Sequence, residues 1–387
     1  MFSIFTSNKS KGPGKQESSK YKHSTDYNVI KHLNSWTSIN PSYGCVWDCA
    51  YCVQEKDNWY VRNGIVKEFS PKRTLDAIVN DKFISKGQQP LALFNFSDPF
   101  LPQNREDLVE ILQGLDKMKY HNIVGLITKT LPDKSTLKAV KNLKNLKPVV
   151  IVSYANLMPK DVERASKEKR VELIKMSSKI GIPTLVYMRP LVKEWISEKS
   201  IEEFADNVTP YADGIVISGL IYTDEIKQKL AKRRVPLPDM SPNGEKHLDY
   251  GTLETAKRVI LSVKKDMPIF TSTSCGVSYV YGIPCYNGYG ALRARESGKG
   301  CCKHTCYEKQ RDVCMDSYKL SGRAFKHMME HLSIEHIDFD IRKGYVDLYG
   351  DVSWLNQLYL RHNTSHWMFN NQHKKTLFEK VVSKIRD

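Results

Sequence analysis

Cys45-Val-Trp-Asp-Cys49-Ala-Tyr51-Cys52 sets three thiols at CxxxCxxC spacing, directly after the turn-forming run Asn40-Pro41-Ser42-Tyr43-Gly44. Three cysteines leave one unpaired in any disulfide scheme, and intervals this short put all three sulfurs on one side of a loop. They converge on a common target. Thiolates gathered in one loop suit zinc or an iron–sulfur cluster. Zinc sites ordinarily draw a second CxxC pair from elsewhere, whereas three thiolates leave a four-iron cluster with one iron free of protein ligands. The spacing points to that open iron.

Around this loop the sequence alternates short β-rich runs with amphipathic helical stretches, the rhythm of βαβ units and a parallel sheet. Strands are expected around Trp36–Ile39, Pro90–Phe96, Ile123–Thr128, Pro148–Ser153, Pro183–Met188 and Gly214–Ser218. Helices are expected over Thr74–Ile84, Arg105–Lys119, Lys134–Asn145, Arg164–Ile180 and Ile201–Ala212, with Gly181 placed to end the fourth. The pattern predicts an α/β fold: a partial (β/α)6 barrel of TIM type followed by a C-terminal cysteine-rich cap. In such a barrel functional groups gather at the C-terminal strand ends. Those ends read Asn95-Phe-Ser97-Asp98-Pro99-Phe100, Thr128-Lys129-Thr130, Ser153-Tyr154, Met188-Arg189-Pro190 and Ser218-Gly219. Any single one suits a cap or turn; five together suit a polar ligand lying across the mouth.

With 387 residues, the chain is long enough for a large α/β domain and a smaller second one. Residues 1–24 read as a disordered tail, 25–222 as the core and 223–267 as a connector with a helix. Residues 268–320 form a cysteine-rich region and 321–387 an α-rich cap. The N-terminus lacks the charged start and apolar stretch of a signal peptide, and no apolar run reaches the roughly 18–20 residues of a membrane span. A reducing cytoplasmic setting is expected, where clustered cysteines bind metal more often than they pair. The net charge of +16 suits a polyanion, so nucleic acid is one possible partner. Against this, many lysines are scattered, and Lys138, Lys141, Lys144 and Lys147 read as one solvated helix face. The dense run Lys229-Leu-Ala-Lys232-Arg233-Arg234 reads as a phosphate contact or a soluble helix end.

Motif and rhythm together make the region from Trp36 to Gly219 resemble the radical S-adenosylmethionine (radical SAM) superfamily, with Tyr51 as the aromatic residue before the third cysteine. More narrowly it is similar to the branch containing spore photoproduct lyase. That likeness is carried by the Ser97-Asp98-Pro99-Phe100 turn with Pro102 after it, Thr128-Lys129, and Arg164 to Arg170 leading through Gly181-Ile182-Pro183 to Arg189-Pro190. The resemblance implies that Cys45, Cys49 and Cys52 ligate a [4Fe–4S] cluster whose open iron chelates SAM. It implies reductive cleavage to methionine and a 5′-deoxyadenosyl radical, with an external one-electron donor such as flavodoxin or ferredoxin. By position, Asn95, Ser97 and Asp98 would meet the SAM amino group, although no Gly-Gly-Glu is present. Lys129 belongs to the same cofactor set, Ser153 and Arg189 would contact ribose or carboxylate, and Ser218, Gly219 and Tyr51 would lie near adenine.

A second group, Cys275, Cys285, Cys301, Cys302, Cys306 and Cys314, falls within forty residues beside His304. Neighbouring free thiols oxidise, so this group is expected to be metallated. It resembles the auxiliary [4Fe–4S] extensions of radical SAM enzymes, with structural zinc as the alternative, although CCxxxCxxxxxxxC departs from their usual series. Farther on, Ser321–Glu335, Val352–His362 and Lys374–Ile385 read as helices and Tyr345–Tyr349 as a strand. The aromatic segment from Tyr359 to Asn370 reads as a pocket lining or a docking seam. The function expected is hydrogen abstraction from a small-molecule or peptide substrate. Lyase-like repair or modification of DNA or RNA is the alternative, and a non-catalytic metal-stabilised nucleic-acid-binding module a third reading.

Overall fold

The computed structural model describes residues 28–56, 64–87, 89–154, 162–289, 306–316 and 319–371. Its centre is an eight-stranded sheet whose strands follow one another in chain order. These are β1 (Ile30–Leu33), β2 (Trp36–Ile39), β3 (Leu91–Leu93), β4 (Ile123–Thr128), β5 (Lys147–Ser153), β6 (Thr184–Met188), β7 (Gly214–Ile217) and β8 (Ile269–Phe270). β1 pairs antiparallel with β2, and every later pairing is parallel. Sequential order without reversal winds the chain one way around, as in a barrel and unlike a doubly wound sheet. Among the described residues β8 does not pair with β1, so the barrel stays open there.

Alternation along the strands builds two cores. Val124 and Leu126 of β4, Val150 and Val152 of β5, and Ile215 and Ile217 of β7 face the crossover helices. Those helices are α1 (Pro71–Asn80), α2 (Arg105–Lys117), α3 (Lys134–Lys141), α4 (Lys167–Ile180) and α5 (Glu198–Val208). Their ends follow local chemistry: Ser70, Asp133, Ser166 and Ser197 cap N-termini through their side chains, and Gly181 closes α4 at φ +80°. The opposite strand positions, Ala92, Ile123, Ile151, Leu185, Tyr187 and Val216, form an inner core with Phe270 and four cysteines.

The polar connector contains α6 (Asp224–Lys232), and α7 (Tyr250–Val263) precedes β8. The described part of the cysteine-rich segment folds as α8 (Thr273–Val280) and α9 (Glu308–Asp316). α8 lies on the inner face of the sheet, where a Cβ on Gly276 would meet Val216 at 2.9 Å and Leu185 and Phe270 at 3.4 Å. The region expected to be α-rich contributes α10 (Gly322–His331) and α11 (Trp354–Thr364). It also holds a three-stranded sheet of β9 (Asp338–Arg342), β10 (Tyr345–Tyr349) and β11 (Trp367–Asn371). Its α11 grips the β1–β2 turn: Arg361 Nη2 donates to Asn34 Oδ1 at 3.1 Å, and His362 Nε2 lies 3.1 Å from Asn34 O.

Two readings of basic residues change. α3 ends at Lys141, so Lys144 lies in a turn and Lys147 opens β5, because Asp116 accepts the backbone N–H groups of 144–146 and stops the helix. Lys229 and Arg233 point inward rather than to solvent or phosphate. The helix expected over Lys374–Ile385 lies outside the described residues, as do Cys301, Cys302 and His304. No helix among the described residues is long and apolar enough to cross a membrane.

Candidate active site

The three thiols of the Cys45–Cys52 loop line one cavity of about 450 Å³, together with Asn95, Ser97, Asp98, Lys129, Ser153 and Arg189 from the tips of β3 to β6. Along the inner face the same cavity reaches Tyr187 and the Asn34–Ser35 turn. Loop geometry begins with Gly44 at φ +87°, a conformation that glycine adopts without strain, and includes Asp48 at φ +44°.

Asp48 anchors this loop. Its buried carboxylate meets Arg233 Nη2 at 2.7 Å, Arg164 Nη2 at 3.2 Å and Lys229 Nζ at 4.0 Å. The same helix α6 holds the backbone, with Arg233 Nη1 donating to Asp48 O at 2.9 Å and Lys229 Nζ to Cys49 O at 3.4 Å. Two residues of the basic run, Lys229 and Arg233, therefore clamp the cysteine loop, while Lys232 and Arg234 stay exposed. Sequence spacing could not place Asp48 and Arg233 together, since 185 residues separate them.

Asp98 braces the other side. It accepts from Phe100 N (3.0 Å), Thr128 Oγ1 (2.7 Å), Lys129 N (2.8 Å) and Trp47 Nε1 (3.1 Å), which ties the cysteine loop to the tips of β3 and β4. Four hydrogen bonds are the full complement of a carboxylate. Nearby, Ser97 Oγ accepts from Asn104 Nδ2 at 3.0 Å.

Behind the cavity wall sits a buried charge network that the sequence did not reveal. Glu163 Oε2 accepts from Lys129 Nζ at 2.8 Å and Tyr51 Oη at 2.6 Å, while Oε1 pairs with Arg170. Lys129 also reaches Tyr51 Oη at 2.8 Å and Ser153 Oγ at 2.9 Å. Burial works to raise the Glu163 pKa, but Lys129 and Arg170 overcome it and hold the carboxyl at about 2. Lys129, placed in the cofactor set by sequence, thus already has its counter-charge. Arg189 differs: it lines the cavity, and among the described residues no carboxylate pairs with it. Ser218 and Gly219 stand apart from the described lining. Leu191 N donates to Ser218 O, and a Cβ on Gly219 would collide with His247 O.

As thiols, Cys45 and Cys49 are poor acids. Burial pushes Cys45 up to about 12, with Asp98 adding to the effect, and burial likewise raises Cys49, whose sulfur lies 3.8 Å from Glu163 Oε2. Such thiols ionise when a metal replaces their protons. Three cysteines lining one cavity supply the donor type an iron–sulfur cluster takes, although as thiols no three side chains among the described residues already surround a common point.

No family model matches the sequence, and no curated protein matches it. Among solved structures, a mutant spore photoproduct lyase superposes with a TM-score of 0.50 at 12% identity, over 64% of this chain and 79% of that one. A second mutant of that enzyme, with bound AdoMet and dinucleoside spore photoproduct, gives 0.49 at 14% over 62% and 78%. SuiB from Streptococcus suis bound to S-adenosylmethionine gives 0.42 at 14% over 63% and 51%. At 12% identity the first likeness is one of fold alone.

Proposed function

We propose that this chain is a radical SAM enzyme acting on a small-molecule or peptide substrate, with Cys45, Cys49 and Cys52 as ligands of a [4Fe–4S] cluster. The observation that carries the proposal is the convergence on one cavity of those three thiols and Arg189, which no carboxylate pairs among the described residues. When bound, the cluster and SAM supply a one-electron cleavage of SAM to methionine and a 5′-deoxyadenosyl radical, the electron coming from a donor such as flavodoxin or ferredoxin.

The protein's own contribution is placement. Arg189 would hold the carboxylate of the SAM methionyl group, a partner that a guanidinium suits. Asn95 offers a side-chain oxygen to the amino group, and Ser153, held by Lys129, offers its hydroxyl to the ribose. Asp98 and Asp48 act on the cluster loop rather than on SAM, since their carboxylates are taken up in bracing it. The inner-face extension toward Asn34 leaves room for a substrate next to the cofactor. Lys229 and Arg233 are engaged with the cysteine loop, while Lys232 and Arg234 of the same run stay exposed; the small-substrate reading rests on the cavity and its inner-face extension. The auxiliary four-iron cluster expected on the second cysteine group forms no part of this reading.

The test is 5′-deoxyadenosine formation by anaerobically reconstituted protein under reduction. The wild type should cleave SAM without added substrate, and C45A/C49A/C52A should not. Cleavage surviving in the triple variant overturns the proposal.

A further inference from the structure

Four cysteines outside the first motif meet in the inner core, although they come from separate places in the chain. Cys275 lies in the first turn of α8, Cys285 in the loop after that helix, Cys306 just before α9 and Cys314 within α9. All four are buried, at 4%, 1%, 5% and 3% exposure. Cys275 Sγ lies 3.8 Å from Cys285 Sγ and within hydrogen-bonding reach of Cys306. Around the sulfurs stand polar partners: Cys285 N–H points to Cys314 Sγ at 3.2 Å, Gln310 Nε2 to the same sulfur at 3.5 Å, and the Cys285 thiol donates to Ser274 Oγ at 3.2 Å.

A buried cysteine alone is a small apolar filler. Four in contact, with backbone N–H and amide donors aimed at sulfur, instead resemble thiolate ligands and their supporting shell. One spacing bears on the kind of centre. Zinc with bonds of about 2.3 Å in a tetrahedron holds neighbouring sulfurs about 3.8 Å apart, and the Cys275–Cys285 thiol contact already stands at that distance. A four-iron cube attaches each thiolate to a different iron and spreads the sulfurs farther. We propose that Cys275, Cys285, Cys306 and Cys314 bind one zinc ion as a closed tetrathiolate site. As the thiols stand, no three side chains among the described residues surround a common point at ligand distance. Binding therefore draws the sulfurs inward by side-chain rotation and releases the thiol protons to water, with no change of oxidation state.

With four protein sulfurs on a tetrahedral ion, no position remains for substrate, so the site is structural. It ties α9 to α8, and α8 holds the cavity wall: Tyr187 Oη donates to Thr273 Oγ1 at 2.6 Å, one residue from Ser274 and two from Cys275. Zinc here would fix the wall of the cavity opposite the first cysteine loop. This inference stands independently of the proposed reaction.

The experiment uses the full chain carrying C45A/C49A/C52A, so that metal reports the second group alone. About one zinc per chain by elemental analysis is expected. Cobalt added to the metal-free protein should give the intense sulfur-to-cobalt charge-transfer band and visible d–d bands of a tetrahedral tetrathiolate. Adding Cys275→Ser or Cys306→Ser should lose the zinc and shift those bands, whereas adding C301S/C302S should leave both unchanged. Protein that binds no zinc, or four irons with sulfide on this group, overturns the proposal. Zinc that departs with C301S/C302S and survives Cys275→Ser overturns the ligand set. If a serine variant fails to fold, the cobalt spectrum of the parent chain still decides between a tetrathiolate site and none.

Discussion

The two cysteine groups solve opposite problems with the same side chain. Cys45, Cys49 and Cys52 are neighbours in sequence, sit on one loop and open onto a cavity. Cys275, Cys285, Cys306 and Cys314 are scattered over two helices and their connections, and close on one another inside the core. Under the two proposals, three ligands opening onto a cavity leave a reactive position and four ligands in a closed core leave none. Number and exposure of the sulfurs, rather than their mere presence, separate a reaction centre from a staple.

The sharpest way to break this contrast is a pair of single variants read two ways. Cys49→Ala should reduce 5′-deoxyadenosine formation to background while leaving the zinc content unchanged. Cys275→Ser should lose zinc and lower the thermal midpoint, yet retain measurable SAM cleavage. The same loss of both properties in both variants would dissolve the distinction.

The open loop depends on its anchor, so the next effect is expected at Asp48. Asp48→Ala leaves Arg233 and Lys229 without their shared carboxylate and should cost about 3 kcal/mol in denaturant unfolding. Part of that figure is screened at Arg164, whose side chain is 60% exposed. A change near zero would show that the backbone bonds from Arg233 and Lys229 suffice to hold the loop. Arg189→Ala should weaken SAM binding by about 2 kcal/mol, on the order of thirtyfold in Kd by calorimetry, with cluster content unchanged. Undiminished binding would remove Arg189 from the cofactor contacts.

The closed region should lose stability at a milder acidity than the open loop, whose Glu163 is held at about 2 against an ordinary 4.5. His362 Nε2 lies 3.0 Å from Asn287 Oδ1, two residues from Cys285, and burial, aided by Arg361, pushes the imidazole down to about 3 from 6.5. Above pH 6.5 both folded and unfolded states hold it neutral. Below that value the unfolded chain takes up a proton that the folded one refuses, so stability falls as pH drops from 6.5 toward 3. His362→Gln should flatten this part of the pH–stability curve, which urea titrations at pH 5 and 7 would measure. The smallest effect belongs to a control outside both groups. Asp133 caps α3, and hydrogen bonds from Ser135 and Thr136 hold its pKa at about 2. Asp133→Ala should cost about 1 kcal/mol at pH 7. That contribution is present above the ordinary value of 3.8 and disappears as pH falls toward 2, with neither metal content nor SAM cleavage altered.

The central strands Ile123–Thr128 and Lys147–Ser153 were readable because each is a largely buried run rich in β-branched residues. Ile123–Thr128 appears with the expected bounds, and Gly181 ends its helix as its position suggested. α8 was not readable. Thr-Ser-Cys-Gly-Val-Ser-Tyr-Val has poor helix propensity, and its helix forms because Gly276 lets it settle against Val216 and Phe270. β11 was hidden for a similar reason: the aromatic run Trp367–Asn371 becomes a strand only by pairing with β10.

By itself the sequence determined the cysteine loop, whose three sulfurs lie within eight residues, and the order of strands and helices, since both depend on residues close in the chain. Tertiary structure alone decided that Asp98 braces the cysteine loop and that Glu163 neutralises Lys129. It also decided that Lys229 and Arg233 clamp the loop and that four distant cysteines share one core. Each of these depends on burial and on charges meeting across 30 to 185 residues of chain, a proximity that no local pattern encodes.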